Sequence, residues 1–172
     1  MSVRPIQLYA KDEPALRRKC RPLADRAPEA RQLITDLKDT LLHDGRGIGL
    51  AAPQIGVHKR AIVVCLGAGD GKKAGPPIGI VNPVILETGC ELPDFAGCLS
   101  IPGFYAETVR PHFMRVRGQD ERGATFEWTL KGFDAVVVHH EGDHLNVILF
   151  IDRLASPAAL VSEAKLGDKA TS

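Results

Sequence analysis

No apolar stretch among the 172 residues is long enough to cross a bilayer. Nor does the chain carry an excess of charge. Its 22 Lys and Arg stand against 21 Asp and Glu, a net charge of +1, which argues against an electrostatic demand for nucleic acid or for an anionic membrane. The opening residues, Met1-Ser2-Val3-Arg4-Pro5, lack the charged-then-apolar build of a signal peptide and the Arg/Ser richness of a transit segment, so the expected location is the cytoplasm. Cysteine is sparse and unpaired in spacing. Cys20, Cys65, Cys90 and Cys98 form no CxxC, so free thiols are expected rather than a disulfide framework. No internal repeat is present. What remains is ordinary: 44% hydrophobic and 25% charged residues, enough chain for a single domain over 1–172 with its own core.

Residues 6–16 read as a leading segment. Over 28–43, Ala30, Leu33, Ile34, Leu37, Leu41 and Leu42 recur at helical spacing, and Gly45 and Gly47 end the helix. The run 47–56 is too rich in small residues for an ordinary helix and reads as backbone that approaches something closely. Residues 60–66 and 79–86 have strand composition, as do 112–119 and 125–130 around a turn at Arg122-Gly123. The loop 67–77 and the irregular stretch 89–102 separate them. Cys65 reads as core, Cys20 as a surface thiol among Arg18, Lys19 and Arg21. The end, 156–172, shows only a weak Ala/Leu helical pattern and is expected to be weakly ordered. Several strands around one functional helix make the class α+β.

That helix carries the chemistry. His140-Glu141-Gly142-Asp143-His144 is a His-Glu-x-x-His run. Positions i and i+4 lie one turn apart on one helical face, so two imidazoles can grip one metal ion while the glutamate acts on a water bound there. Val136, Val137 and Val138 favour strand, being β-branched. The stripe Phe133, Val136, Val137, His140 and His144 nevertheless has helical spacing, and a helix is expected from Phe133 onward. Phe133, Val136 and Val137, with Ile48 closing from the glycine-rich run, offer an apolar slot beside the metal; the same four residues serve equally as core.

Two histidines leave a catalytic metal short of a third protein ligand. No further His follows the pair, and the one later glutamate, Glu163, lies in the weak tail. An upstream ligand is needed. Cys98, flanked by Gly97, Leu99 and Ser100, stands out, and a Cys-His-His set suits zinc, iron or another late first-row metal. Composition alone leaves Cys98 equally readable as a small buried hydrophobe.

Three blocks then resemble one family, the peptide deformylases. Residues 47–54 resemble its GxGxAAxQ block, Gly97-Cys98-Leu99-Ser100 the tail of its EGCLS block, and residues 140–145 its HExDHL block. The similarity runs over about 3–154. The resemblance implies a small α+β domain with β-sheets wrapped around a central metal-binding helix. It also implies removal of the formyl group from the N-terminal formyl-methionine of newly made polypeptides, with release of formate. Cys98, His140 and His144 would hold one divalent ion, most often iron(II), with zinc, nickel or cobalt able to replace it. Glu141 would serve as general base and acid, and Gln54 and the Leu99 N–H would face the formyl oxygen. Gly49 and Gly97 would let the peptide backbone pair in extended form. Partners would be formyl-methionyl nascent chains and, by the same resemblance, the ribosome near the exit of the nascent chain.

The chain departs from the family at three places. Ala96 stands where the second block usually begins with glutamate, so Arg110, that glutamate's usual partner, is expected to turn to water, Glu107 or Asp94. His139 replaces a glutamine, and Tyr105 an arginine that helps to hold substrate. His43, His58 and His112 lie outside every block and are expected in solvent. These departures leave room for a deacylase with a changed substrate. A zinc endopeptidase and a non-catalytic ribosome-associated binding module are the more distant alternatives.

Overall fold

The computed structural model describes residues 2–24, 27–68 and 73–164. In chain order the regular elements are α1 (Tyr9–Leu16), α2 (Ala27–Asp44), β1 (Gly49–Ala51), β2 (Ala61–Cys65), β3 (Pro77–Cys98), β4 (Ile101–Gln119), β5 (Thr125–Lys131), α3 (Phe133–Leu145) and β6 (Leu160–Ser162). Among the described residues the strands form one antiparallel sheet in the order β1-β2-β3-β4-β5, with β6 added to the outer half of β4.

β2 explains the layering. All five of its residues are buried, and successive side chains point to opposite faces of a strand. Ala61, Val63 and Cys65 pack with Leu33, Ile34, Leu37 and Leu41 of α2. Ile62 and Val64 pack with Ala135, Val137, Val138 and Leu145 of α3. The sheet is thus covered on both faces, which is why β2 reads as a continuous apolar run rather than an alternating one. Each fully buried Leu or Ile contributes about 1.5–3 kcal/mol of transfer free energy. A third cluster, Leu16, Ala96, Ile101, Ala106, Leu149 and Phe150, anchors the outer part of the β3–β4 hairpin.

The strands 79–86 and 112–119 exist but are far longer than composition indicates. The expected irregular stretch 89–102 is instead the outer half of a long β-hairpin, in which Leu92 pairs with Arg110, Asp94 with Thr108 and Gly97 with Tyr105. Its prolines and glycines conceal the strand. Beyond Val81, β3 pairs only with β4, and an unshared edge tolerates Pro93. Register shifts after Val81, Ile85 and Gly97, with positive φ at Asn82 and Cys90, interrupt the regular pattern.

Other expectations also change. The leading segment contains the short helix α1. Cys20 is buried at 3% exposure, not on the surface, because Cys20 packs with Ile62 and Val64; burial pushes its thiol up to about 11, against a smaller opposing effect of Arg60. His43 is exposed as expected. His58, in contrast, places Nε2 2.8 Å from the Ala15 carbonyl, and His112 has a buried Nε2 with no partner. Within 156–172, Pro157–Ala159 form a 3-10 turn and Leu160–Ser162 pair with Phe104–Ala106; residues 165–172 lie outside the described residues. No helix among the described residues is long and apolar enough to cross a membrane.

Candidate active site

α3 forms in spite of three successive valines because both of its long faces are buried, and packing there outweighs their weak helix propensity. Gly132, at φ +57, turns the chain out of β5 into the helix, a conformation costly for a side-chain-bearing residue. α3 carries His140 and His144 on one face, and the end of β3 brings Cys98 to them. Their ligand atoms all lie within 4.8 Å of one another, and no other such cluster occurs among the described residues. Cys98 Sγ is 3.4 Å from His144 Nε2.

Gln54 comes from the 3-10 turn after β1 and is 2% exposed. Its Oε1 accepts from the Ala51 N–H at 2.8 Å, which fixes the amide orientation. Gln54 Nε2 then donates to Ser100 Oγ at 3.1 Å and lies 3.5 Å from Cys98 Sγ. Leu99 occupies the turn between β3 and β4, directly after Cys98, with its side chain against Gly47.

Glu141 is buried, and its Oε2 has no hydrogen-bond partner. Burial pushes its carboxyl up to about 8; Arg110 opposes the shift and Asp143 adds to it. Burial also pushes the Cys98 thiol up to about 12, with the Glu141 charge adding, and lowers His144 to about 4. His140 is driven well below its ordinary value by burial and then by His144. All four groups therefore favour their neutral forms, as expected of a buried donor set without a compensating charge. A divalent cation supplies that charge at the place where Cys98 Sγ and His144 Nε2 converge, 3.4 Å apart; Glu141 Oε2 is buried without a partner. The donor set fits a metal.

A cleft of about 290 Å³ opens over these groups, near the lower end for ligand sites, roughly 300 Å³. Ile48, Phe133, Val136 and Val137 line it, together with Gly49 and Gly97. Val136 and Val137 are also core, at 4% and 5% exposure. The two glycines have an internal reason to lack side chains. A Cβ on Gly49 would fall on the Glu141 carboxylate, and one on Gly97 would lie 2.8 Å from the Tyr105 ring.

Arg110 does not turn to Glu107, Asp94 or water. It is wholly buried and donates from Nη1 to Asp143 Oδ2 at 2.7 Å and to His139 Nδ1 at 2.8 Å. Arg153 closes the cluster from the other side, Nη2 to Asp143 Oδ1 at 2.8 Å. Asp143, the aspartate of the HExDHL block, receives no role from the motif; it is the carboxylate that holds Arg110. The signal was available: a buried arginine needs a carboxylate, and Ala96 removes the usual one. His139, expected as a polar residue beside the site, is an interior acceptor whose pKa burial lowers to about 4.

Two histidines one turn apart, a thiol delivered by a strand end and a buried acid define a metallohydrolase site. The comparisons with known proteins name its kind. The polypeptide deformylase family matches residues 3–159. The peptide deformylase of Hydrogenovibrio crunogenus is 43% identical over 150 residues, 87% of this chain and 85% of that protein. The crystal structure of peptide deformylase from Thermotoga maritima superposes with a TM-score of 0.81 at 33% identity, covering 91% of this chain and all of that one. A Met-Ala-Ser-bound class I type b peptide deformylase from Acinetobacter baumannii gives 0.81 at 31% identity over 90% of this chain and 100% of its own. The chain belongs to the peptide deformylase family, hydrolases that remove the N-formyl group from nascent peptides.

Proposed function

We propose that Cys98, His140 and His144 hold one divalent ion, iron(II) in the native protein, with zinc, nickel or cobalt able to take its place. One thiolate and two imidazoles suit late first-row metals, and the convergence of their ligand atoms within 4.8 Å carries the reading. When bound, the ion supplies Lewis acidity to the formyl group and lowers the pKa of water.

The remaining work falls to the protein. Glu141 is within the cleft, is no ligand, and holds its proton more tightly than an ordinary carboxylate. As the carboxylate, the form that the charge of a bound cation would favour, it takes a proton as water attacks the formyl carbon and returns it to the amine as the C–N bond breaks, releasing formate. Gln54 Nε2 and the Leu99 N–H face the formyl oxygen; one such donor is worth about 2.7–4 kcal/mol of barrier. The methionine side chain enters between Phe133, Val136, Val137 and Ile48, while Gly49 and Gly97 border the peptide backbone. Because its substrate is a nascent chain, the enzyme works in the cytoplasm, close to the ribosomal exit. Anaerobic purification with metal quantification, and formate release from formyl-Met peptides set against acetate release from acetyl-Met peptides, tests the reading. Absence of formate overturns it, and absence of metal overturns the ligand set.

A further inference from the structure

One carboxylate in the cleft wall takes no part in the metal site. Asp94 lines the cleft half-buried, and burial pushes its carboxyl up against the opposing charges of His112 and Arg110. Arg110 does not hold it, because Nη1 of Arg110 donates to Asp143 and His139. The hairpin does not hold it either. Thr108, its partner across the strands, donates from Oγ1 to the Asp94 carbonyl rather than to the side chain.

Strand geometry indicates where the carboxylate looks. Successive side chains face opposite ways, so Asp94 shares one face of β3 with Leu92 and Ala96. Across the hairpin, Thr108 and Arg110 are wholly buried on that face, opposite Asp94 and Leu92. Arg110 reaches His139 and comes within 3.5 Å of His140 Nδ1, so this is the face turned toward α3. The His112 carbonyl accepts the Gly132 N–H at 2.8 Å, immediately before that helix begins. Asp94 therefore looks toward the first half of α3, where Phe133, Val136 and Val137 line the same cleft. An apolar slot with a carboxylate in its wall suits a side chain with an apolar stem and a donor or cation at its tip. We propose that Asp94 sets the specificity of this slot, admitting, beside peptides that begin with methionine, N-formyl peptides whose first side chain ends in a cation or a hydrogen-bond donor. The inference rests on the cleft being the formyl-peptide site.

Lysine and norleucine share one unbranched stem and differ by the terminal ammonium, so formyl-Lys-Ala-Ser and formyl-Nle-Ala-Ser isolate the charge. The test is formate release from both by the metal-loaded enzyme, with formyl-Met-Ala-Ser as reference. The wild type is expected to act on all three. Asp94→Leu lowers kcat/KM for the lysine peptide relative to the norleucine peptide by about ten-fold, as loss of one partly desolvated charge-assisted hydrogen bond requires. Asp94→Lys turns the preference toward formyl-Glu-Ala-Ser over formyl-Gln-Ala-Ser, a reversal that loss of folding does not produce, and circular dichroism verifies the fold of both variants. Two results overturn the role of Asp94 while formyl-Met-Ala-Ser still reports deformylation: no formate from the lysine peptide in the wild type, or a lysine-to-norleucine ratio that Asp94→Leu changes by less than about two-fold. Failure to release formate from formyl-Met-Ala-Ser as well overturns the reading of the cleft itself.

Discussion

Arg110 on β4 and Asp143 on α3 form a buried ion pair, Nη1 to Oδ2 at 2.7 Å, with side-chain exposures of 0% and 6%. The pair ties the long hairpin to the metal-site helix one residue before His144. Arg153 adds a second cation to the same carboxylate. Removing one partner of such a pair leaves an uncompensated buried charge. Asp143→Ala is therefore expected to cost about 3–5 kcal/mol of stability in urea denaturation, far beyond an exposed pair such as Arg115–Glu127.

Glu141→Gln keeps the volume of the side chain and removes its proton chemistry. Turnover of formyl-Met peptides is expected to fall by about 10²–10⁴-fold, with metal content unchanged by elemental analysis. Loss of metal together with activity would reassign Glu141 as a ligand.

Gly49 gives a geometric test of the same carboxylate. Gly49→Ala places a methyl where the Glu141 side chain now lies, with Cδ 2.8 Å from the new Cβ. Displacement by about an ångström costs roughly 10²-fold in rate. The expected result is a fall in kcat with a folded protein by circular dichroism; wild-type kcat would show that Glu141 has room to move.

Metal that binds only the folded chain stabilises it by mass action, about 2.7 kcal/mol at a hundredfold excess over Kd. Zinc added to chelator-treated protein is expected to raise Tm. Cys98→Ser and His144→Ala should largely lose that rise, as read by scanning calorimetry. An equal rise in both variants would displace the site elsewhere.

His139 predicts a pH dependence. Burial lowers its folded pKa to about 4 from an ordinary 6.5. Between those values the unfolded chain binds the extra proton, so stability is full above pH 6.5 and declines as pH falls toward 4. The slope from this one group is at most about 1.4 kcal/mol per pH unit. His140 and His144 shift in the same direction, so the contrast between wild type and His139→Gln isolates the contribution. A flatter stability profile in the variant is expected, from denaturation midpoints across pH 4–7; identical profiles would contradict it.

Local pattern carried much of this reading. α2 was legible because Leu33, Ile34, Leu37 and Leu41 follow its 3.6-residue period, and β2 because five apolar residues fit a strand covered on both faces. The outer hairpin was not, because Pro93, Gly97 and Pro102 look like loop residues unless the partner strand that accommodates them is known. Cys20 failed for a related reason: charged neighbours describe the chain around a residue, not the core into which its own side chain turns.

The sequence by itself determined the helical pair His140 and His144, the acid between them and the composition of the blocks around Gln54 and Cys98, since spacing along one helix or one short loop is a local property. Only the tertiary structure decided that Arg110 answers the loss of a carboxylate at position 96 with Asp143, that Gly49 makes room for Glu141, and that Phe95 and Tyr105 meet at the mouth of the cleft. Those relationships join residues up to 92 positions apart, Gly49 to Glu141. They depend on hairpin register and on the packing of α3 against the sheet, which no local pattern encodes.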